Sequence, residues 1–310
     1  VTAWWWLVFA AVVVVLLALD LAVFHRHSKY ESTRRALAWS AVYVGLGLGF
    51  SLVVGLARGH DAALSYLTAY LIEESLSVDN LFVFLALFTY FGVASEHQHR
   101  VLFWGILGAI IFRGLFIFAG VALISRFHWV MYILGVVLVA TGAKLGLGGG
   151  EEVHPERNVV VRWASRVLPM VKSYHGERFT VKTEGGTRFT ALFLVLVAIE
   201  STDVMFAVDS VPAVLAVSRD PFVVYTSNIF AILGLRALYF VLAGALRSLR
   251  FLRPALAVIL VLVGVKMLLG EVVEIPTEVS LAVVAVILAL ATASSLLIPE
   301  AKAGRTNHRS

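Results

Sequence analysis

The sequence predicts an all-α, polytopic membrane protein of about nine transmembrane helices that contain an inverted repeat of three helices. Three observations predict it. Of its 310 residues, 60% are hydrophobic and only 15% charged, with a mean hydropathy of +0.91, whereas soluble domains carry about a quarter charged residues. Apolar runs of spanning length recur along the whole chain. Two stretches inside it also match each other across an odd number of those runs. A soluble enzyme is excluded, and the absence of cysteine removes disulfides, thiolate metal sites and thiol redox chemistry together.

At 1.5 Å per helical residue, about 20 residues cross the roughly 30 Å hydrocarbon layer. Spans fall at 4–24, 36–57, 64–91, 101–124, 129–147, 189–217, 222–246, 252–269 and 277–298. The first is too long, and lacks the basic flank, to be a cleavable signal. Trp4, Trp5, Trp6 and Trp129 read as interfacial anchors. Basic residues collect on alternate sides. Arg26, Lys29, Arg34 and Arg35 fill the first loop, Arg100 the third and seven bases the 148–188 segment. Arg247, Arg250 and Arg253 follow, then Lys302, Arg305 and Arg309 in the tail. The opposite loops hold only Arg58, Arg126 and Arg219, and the eighth carries Glu271, Glu274 and Glu278 without a base. The positive-inside rule then places the N-terminus outside and the C-terminus in the cytoplasm of a plasma-membrane protein. The net charge of +5 therefore reports orientation rather than a nucleic-acid partner.

The 148–188 segment is the one sizeable loop. Val160, Trp163 and Val167 repeat at helical spacing opposite Arg162 and Arg166, and Pro169 ends the run, which predicts a helix on the inner leaflet. A short hairpin is expected between Thr180 and Thr190, around Glu184-Gly185-Gly186. The segment is too small for a catalytic domain, so no enzyme is expected. The glycines 146, 148, 149 and 150 read as a flexible exit from a span; a phosphate loop would need a Lys-Ser/Thr and a strand.

The repeat is visible by eye. Laying 133–149 beside 255–271 pairs Gly142 with Gly264 and Lys144 with Lys266; upstream, 113–120 resembles 236–244, and 79–82 resembles 203–206. The unit is three spans, so its second copy enters from the opposite side, as in secondary transporters. Repeat one covers 64–147 and repeat two 189–269, leaving 4–24, 36–57 and 277–298 as accessory helices in a single domain of residues 1–310.

Charges at depth carry the functional reading. Glu73, Glu74 and Asp79 lie in the third span, Glu200, Asp203 and Asp209 in the sixth, and Arg113 and Arg236 near the middle of the fourth and seventh. Each costs at least about 2.5–3.5 kcal/mol on insertion scales, so such groups mark ion or proton pathways. Structural Asp/Glu–Arg locks are the plain alternative, but six acids face two bases. Glu73, Ser77 and Asn80 share one helical stripe, and Glu200 shares a face with Asp203. Asp209 points away on an ideal helix, but Pro212 is expected to break the helix near it. The nine histidines lie in loops or at span ends. Carboxylates, Asn80, Asn228 and hydroxyls therefore form the donor set, which fits hard divalent cations such as Mn²⁺, Mg²⁺ or Ca²⁺ and not Cu(I) or structural Zn²⁺. Met205 tilts that set slightly toward Mn²⁺.

The motifs Glu73-Glu-Ser-Leu-Ser-Val-Asp-Asn80, Glu200-Ser-Thr-Asp-Val-Met-Phe-Ala-Val-Asp-Ser-Val-Pro212 and Asp220-Pro-Phe-Val-Val-Tyr-Thr-Ser-Asn228 through Tyr239 closely resemble the TerC (tellurium-resistance protein C) family, Alx-type members included. Tyr174-His-Gly176 and Phe179 resemble it too. The resemblance implies a transporter related to the LysE superfamily, associated with Mn²⁺ export and in some lineages with metal supply to exported proteins or tellurite resistance. It also implies that the acids and Asn80 of the first two motifs form the ion site. A chain without thiols has no means of its own to reduce tellurite. The reading is a Mn²⁺ exporter without bound cofactor, working by alternating access through a midplane carboxylate site. Its metal residues are Glu73, Glu74, Asp79, Asn80, Glu200, Asp203 and Asp209, with Ser77, Arg113, Asn228 and Arg236 in support. The alternative is a membrane scaffold that aids assembly, insertion or metalation of other proteins, with exported metalloproteins or insertion machinery as partners. An oxyanion carrier would need a basic site.

Overall fold

The computed structural model describes residues 3–25, 33–127, 129–147, 158–171, 173–184, 186–245, 251–269 and 275–297. Of the residues named above, Arg26, Lys29, Gly148, Gly149, Gly150, Gly185, Arg247, Arg250, Glu271, Glu274, Lys302, Arg305 and Arg309 lie outside these, as do Arg157 and Lys172 of the 148–188 segment and the side chains of Asp79 and Arg253. The described chain is nearly all helix: α1 (Ala3–His25), α2 (Thr33–Arg58), α3 (His60–Phe91), α4 (Ser95–Arg126), α5 (Val130–Gly146), a short α6 (Val159–Val167), α7 (Ala191–Leu215), α8 (Pro221–Ala245), α9 (Leu252–Leu269) and α10 (Thr277–Leu297). Within the described residues α2, α4, α7, α8 and α10 are long and apolar enough to cross a membrane, and α1, α5 and α9 hold shorter apolar stretches.

Local chemistry sets the corners. Gly92 ends α3 at φ 63°, and its N–H reaches Phe88 O and Thr89 O, while the Val93 N–H bonds Phe88 O at 2.9 Å. A left-handed residue closes the helix carbonyls in this way without a Cβ penalty. Between α6 and α7, β1 (Thr180–Thr183) pairs antiparallel with β2 (Gly186–Phe189), turned through Gly186 at φ 106°. This loop seats on the α3–α4 corner. Tyr174 Oη donates to Phe91 O at 2.6 Å, Arg100 lies 5.2 Å over the Phe179 ring, and Arg100 meets Glu177 at 3.8 Å. Burial pushes the Tyr174 phenol above its ordinary range, so it remains a donor.

Packing places α3, α4, α7 and α8 around one another, with α2 against α3 and α8 and with α10 against α3 and α9. Beside them α5 and α9 form the most intimate helix pair, and glycine makes it possible. A Cβ on Gly142 would lie 2.8 Å from Ala257 O and 2.8 Å from Val261; one on Gly264 would lie 2.8 Å from Gly135 O and 2.9 Å from Val139. Gly135 thus faces Gly264 while Gly142 faces Ala257, so the helices run antiparallel. The alignment of 133–149 with 255–271 carries one of these contacts onto the other.

The helix break expected at Pro212 does not occur. α7 runs to Leu215 with Pro212 inside it, and Pro212 O still accepts from Ala216 N at 2.9 Å. The proline stands in the last turn, where its missing N–H costs a single bond, and Val211, Pro212, Ala213 and Val214 are buried there, so packing holds the turn.

Candidate functional site

Glycines on α4 open the space in which charged side chains meet. A Cβ on Gly108 would collide with the Glu200 carboxylate, and one on Gly114 would crowd the Tyr225 ring at 3.1 Å. Between these two levels the Arg113 side chain leaves α4, fully buried. Its guanidinium is the hub of a network from four helices. Nη1 pairs with Glu73 of α3; Nη2 reaches Asp203 Oδ1 at 3.1 Å and Nε reaches Asp203 Oδ2 at 3.4 Å on α7. Nη1 also donates to Asn228 Oδ1 of α8 at 2.9 Å and to Ser210 Oγ at 3.2 Å. Asn228 Nδ2 closes the ring by donating to Glu73 Oε2 at 3.0 Å. The planar fork of arginine suits this, since it can serve two carboxylates at once.

Within the ring one guanidinium faces two carboxylates in a low-dielectric interior, where each charge weighs heavily. Other polar oxygens at this depth are under-satisfied. Ser77 Oγ, one turn from Glu73, and Glu200 Oε2 are buried without a hydrogen-bond partner. Ser77 and Asn80 lie buried on the Glu73 stripe. Asp203 and Arg236 share a small recess with Phe84, Leu102, Gly105 and Ile106.

The structure thus joins Glu73, Asp203, Arg113 and Asn228 directly and brings Glu200 into electrostatic range of Asp203. Glu74 faces elsewhere. It lies in electrostatic range of Tyr70, its Oε2 is buried without a partner, and Tyr70 stacks on Tyr66 against α2. On α7, Asp209 accepts from Thr141 Oγ1 of α5 at 2.9 Å and is not among the partners of Arg113. Among the described residues no three of His, Cys, Asp and Glu converge into a ready-made metal cage, because Arg113 stands between Glu73 and Asp203. Sequence reasoning missed Ser210, Tyr70 and Gly108. Two carried a readable signal: Ser210 lies two helical turns after Asp203 on the same face, and Tyr70 one turn before Glu74.

Comparison with known proteins adds kinship. Residues 58–303 match the description "Integral membrane protein TerC family". A relative in Escherichia coli K12, described as a proposed membrane-bound redox modulator and named Alx, is 46% identical over 278 residues, covering 87% of each chain. Its namesake in Photorhabdus laumondii is 43% identical over 93% of each chain. An uncharacterized membrane protein of Myxococcus xanthus is 45% identical over 91% of this chain and 88% of its own. No solved structure matches.

Proposed function

The chain belongs to the TerC family of integral membrane proteins, and from that premise we propose that it exports a hard divalent cation, Mn²⁺ foremost, across the plasma membrane by alternating access. The observation that carries the reading is the Arg113 guanidinium bridging Glu73 and Asp203. A buried arginine shared by two acids on different helices acts as an internal counter-ion, occupying the place of the cargo until the cargo arrives. The cation meets Glu200 and Asp203 on the cytoplasmic side and displaces the guanidinium. It then takes oxygens from Glu73, Asp203, Asn228 and Ser210, a hard donor set suited to Mn²⁺ or Mg²⁺. Buried Asn80, on the Glu73 stripe, adds an amide oxygen in this reading, and Arg236 takes the counter-ion role in the second repeat.

The spans number nine and the two units of three are related by an axis in the membrane plane. The antiparallel pairing of α5 with α9 through equivalent residues supports this, since an axis along the membrane normal would leave them parallel. The N-terminus lies outside. The redox influence ascribed to the Alx relatives can reach this cysteine-free chain only through something other than its own thiols, and a changed metal supply is such a route.

The test is ⁵⁴Mn²⁺ flux in proteoliposomes. Asp203→Asn keeps shape and removes one charge, so flux should fall at least about tenfold, while Asp61→Asn, an exposed acid in the first turn of α3, leaves it unchanged. Undiminished flux in a well-folded Asp203→Asn variant would overturn the reading in favour of a scaffold role in assembly or metalation of other membrane proteins.

A further inference from the structure

Helix α6 occupies an unexpected attitude. Its N-cap, Asn158, accepts from the N–H groups of Val160 and Val161 at 3.0 and 3.2 Å and with Nδ2 donates to Ser201 Oγ at 2.9 Å. At its other end the Pro169 carbonyl accepts from Phe189 N at 2.9 Å, two residues before α7 begins. Ser201 lies ten residues into α7, about 15 Å along it at the helical rise. The N-terminus of α6 is therefore carried well up α7 while its C-terminus stays at the base, so α6 leans along α7 instead of crossing it.

Which faces α6 uses follows. Val161 and Ala164 are buried, Val161 within the cluster that includes Leu192, Val195, Ala198 and Ile199 of α7. Val159, Val160, Trp163 and Val167 are left 71, 47, 61 and 58% exposed, and Arg162 and Arg166 are exposed beside them. The apolar stripe read from the sequence is thus not the face that packs on the protein. Its surroundings can be located from α7. Ser201, Met205 and Val208 fall on one helical stripe, and Met205 and Val208 are about half exposed, on a helix apolar enough to span. α6 therefore lies on the outward face of α7, at the perimeter that meets lipid.

We propose that α6 is inserted N-terminus first into the cytoplasmic leaflet, its Val159/Val160/Trp163/Val167 stripe against acyl chains and Arg162 and Arg166 on anionic headgroups. The Asn158–Ser201 bond ties that seat to the acidic motif beside Glu200. The chemistry is complementary: an apolar stripe with a tryptophan, flanked by arginines, is what an anionic bilayer surface accommodates. Arg178, Lys182 and Arg188 of the same loop extend the basic surface. That lipid charge thereby influences ion access at Glu200 rests on the export reading above; the insertion itself does not.

The chain has no cysteine, so Val160→Cys and Val167→Cys each give a single site for an environment-sensitive fluorophore. The full-length protein is placed in vesicles of phosphatidylcholine with about a third phosphatidylglycerol, and quenching by brominated acyl chains is compared with quenching by aqueous iodide. Label 160 should be the deeper, quenched by bromine and several-fold shielded from iodide, with label 167 nearer the surface. Arg162→Gln with Arg166→Gln should reduce the shielding. Ser201→Ala, which leaves the Asn158 cap intact, should raise iodide access at 160 several-fold and abolish any dependence of ⁵⁴Mn²⁺ flux on phosphatidylglycerol. Iodide quenching of both labels as of free dye, equal depth of the two, or shielding that appears only when soluble protein is added would overturn the insertion. Deep labels in vesicles that pass no Mn²⁺ would leave it standing and refute the export reading alone.

Discussion

Arg113 balances two carboxylates, so removing it should cost more than removing either acid. In Arg113→Gln, Glu73 and Asp203 remain buried with no base between them, a loss of about 3–5 kcal/mol, expected as a melting point lowered by several degrees in detergent. Added Mn²⁺ should restore much of it, because the ion supplies the charge that was taken away; restoration by Na⁺ alone, or none by Mn²⁺, would count against a cation site. Glu73, Asp203 and Arg113 were legible as sequence because ionisable side chains at depth are rare and costly, and Asn228 because it is one of few amides in the spans. Ser210 was not, since hydroxyls are common in spans and back-bond to their own helix, as Ser75 does to Leu71. Its role appears only when α4 brings Arg113 across to α7. Glu74 and Asp209 show the converse limit: depth is legible, but direction depends on which neighbour each helix turns toward.

At the scale of elements, the helices and the hairpin followed from apolar run length and turn residues, while α6 and Pro212 needed tertiary contacts. A nine-residue amphipathic helix is predictable, but the choice between Val161/Ala164 and Val160/Trp163 as its packing face is not, because both are apolar. Pro212 looked like a breaker only because its distance from the helix end was unknown. Pro212→Ala should therefore be tolerated, within about 1 kcal/mol and with flux retained, and a variant that abolishes transport would restore the idea of a functional kink. The α5–α9 crossing makes the opposite forecast. Gly142→Leu and Gly264→Leu should lower thermal stability by similar amounts, about 1–3 kcal/mol or more from overpacking, because each glycine meets the equivalent backbone of the other helix. Gly45→Ala, which has open space, is the control.

For the whole molecule, orientation rests on loop charges, which no helix packing reports. It is checked with single cysteines in this cysteine-free chain. Ser218→Cys, between α7 and α8, should react with an impermeant maleimide on intact cells, and His175→Cys, in the α6–α7 loop, only after permeabilisation. The reverse result would invert the topology and, with it, the side from which the cation meets Glu200 and Asp203. The likeness of 133–149 to 255–271 was legible because glycine and lysine recur between them without a gap. The grouping of α3, α4, α7 and α8 was not, since pairing between repeats depends on side-chain shapes that periodicity does not encode.

On the export reading proposed above, the guanidinium between Glu73 and Asp203 also sets a threshold. A competitor tethered to the same fold is present at an effective concentration in the millimolar range or above, whatever the cell contains. A free metal ion must outcompete it, and at low ion levels it loses. Such a carrier stays latched while the cytosolic ion is scarce and begins to turn over only as the ion accumulates, which makes it an overflow valve that spares the nutrient pool without a separate sensor.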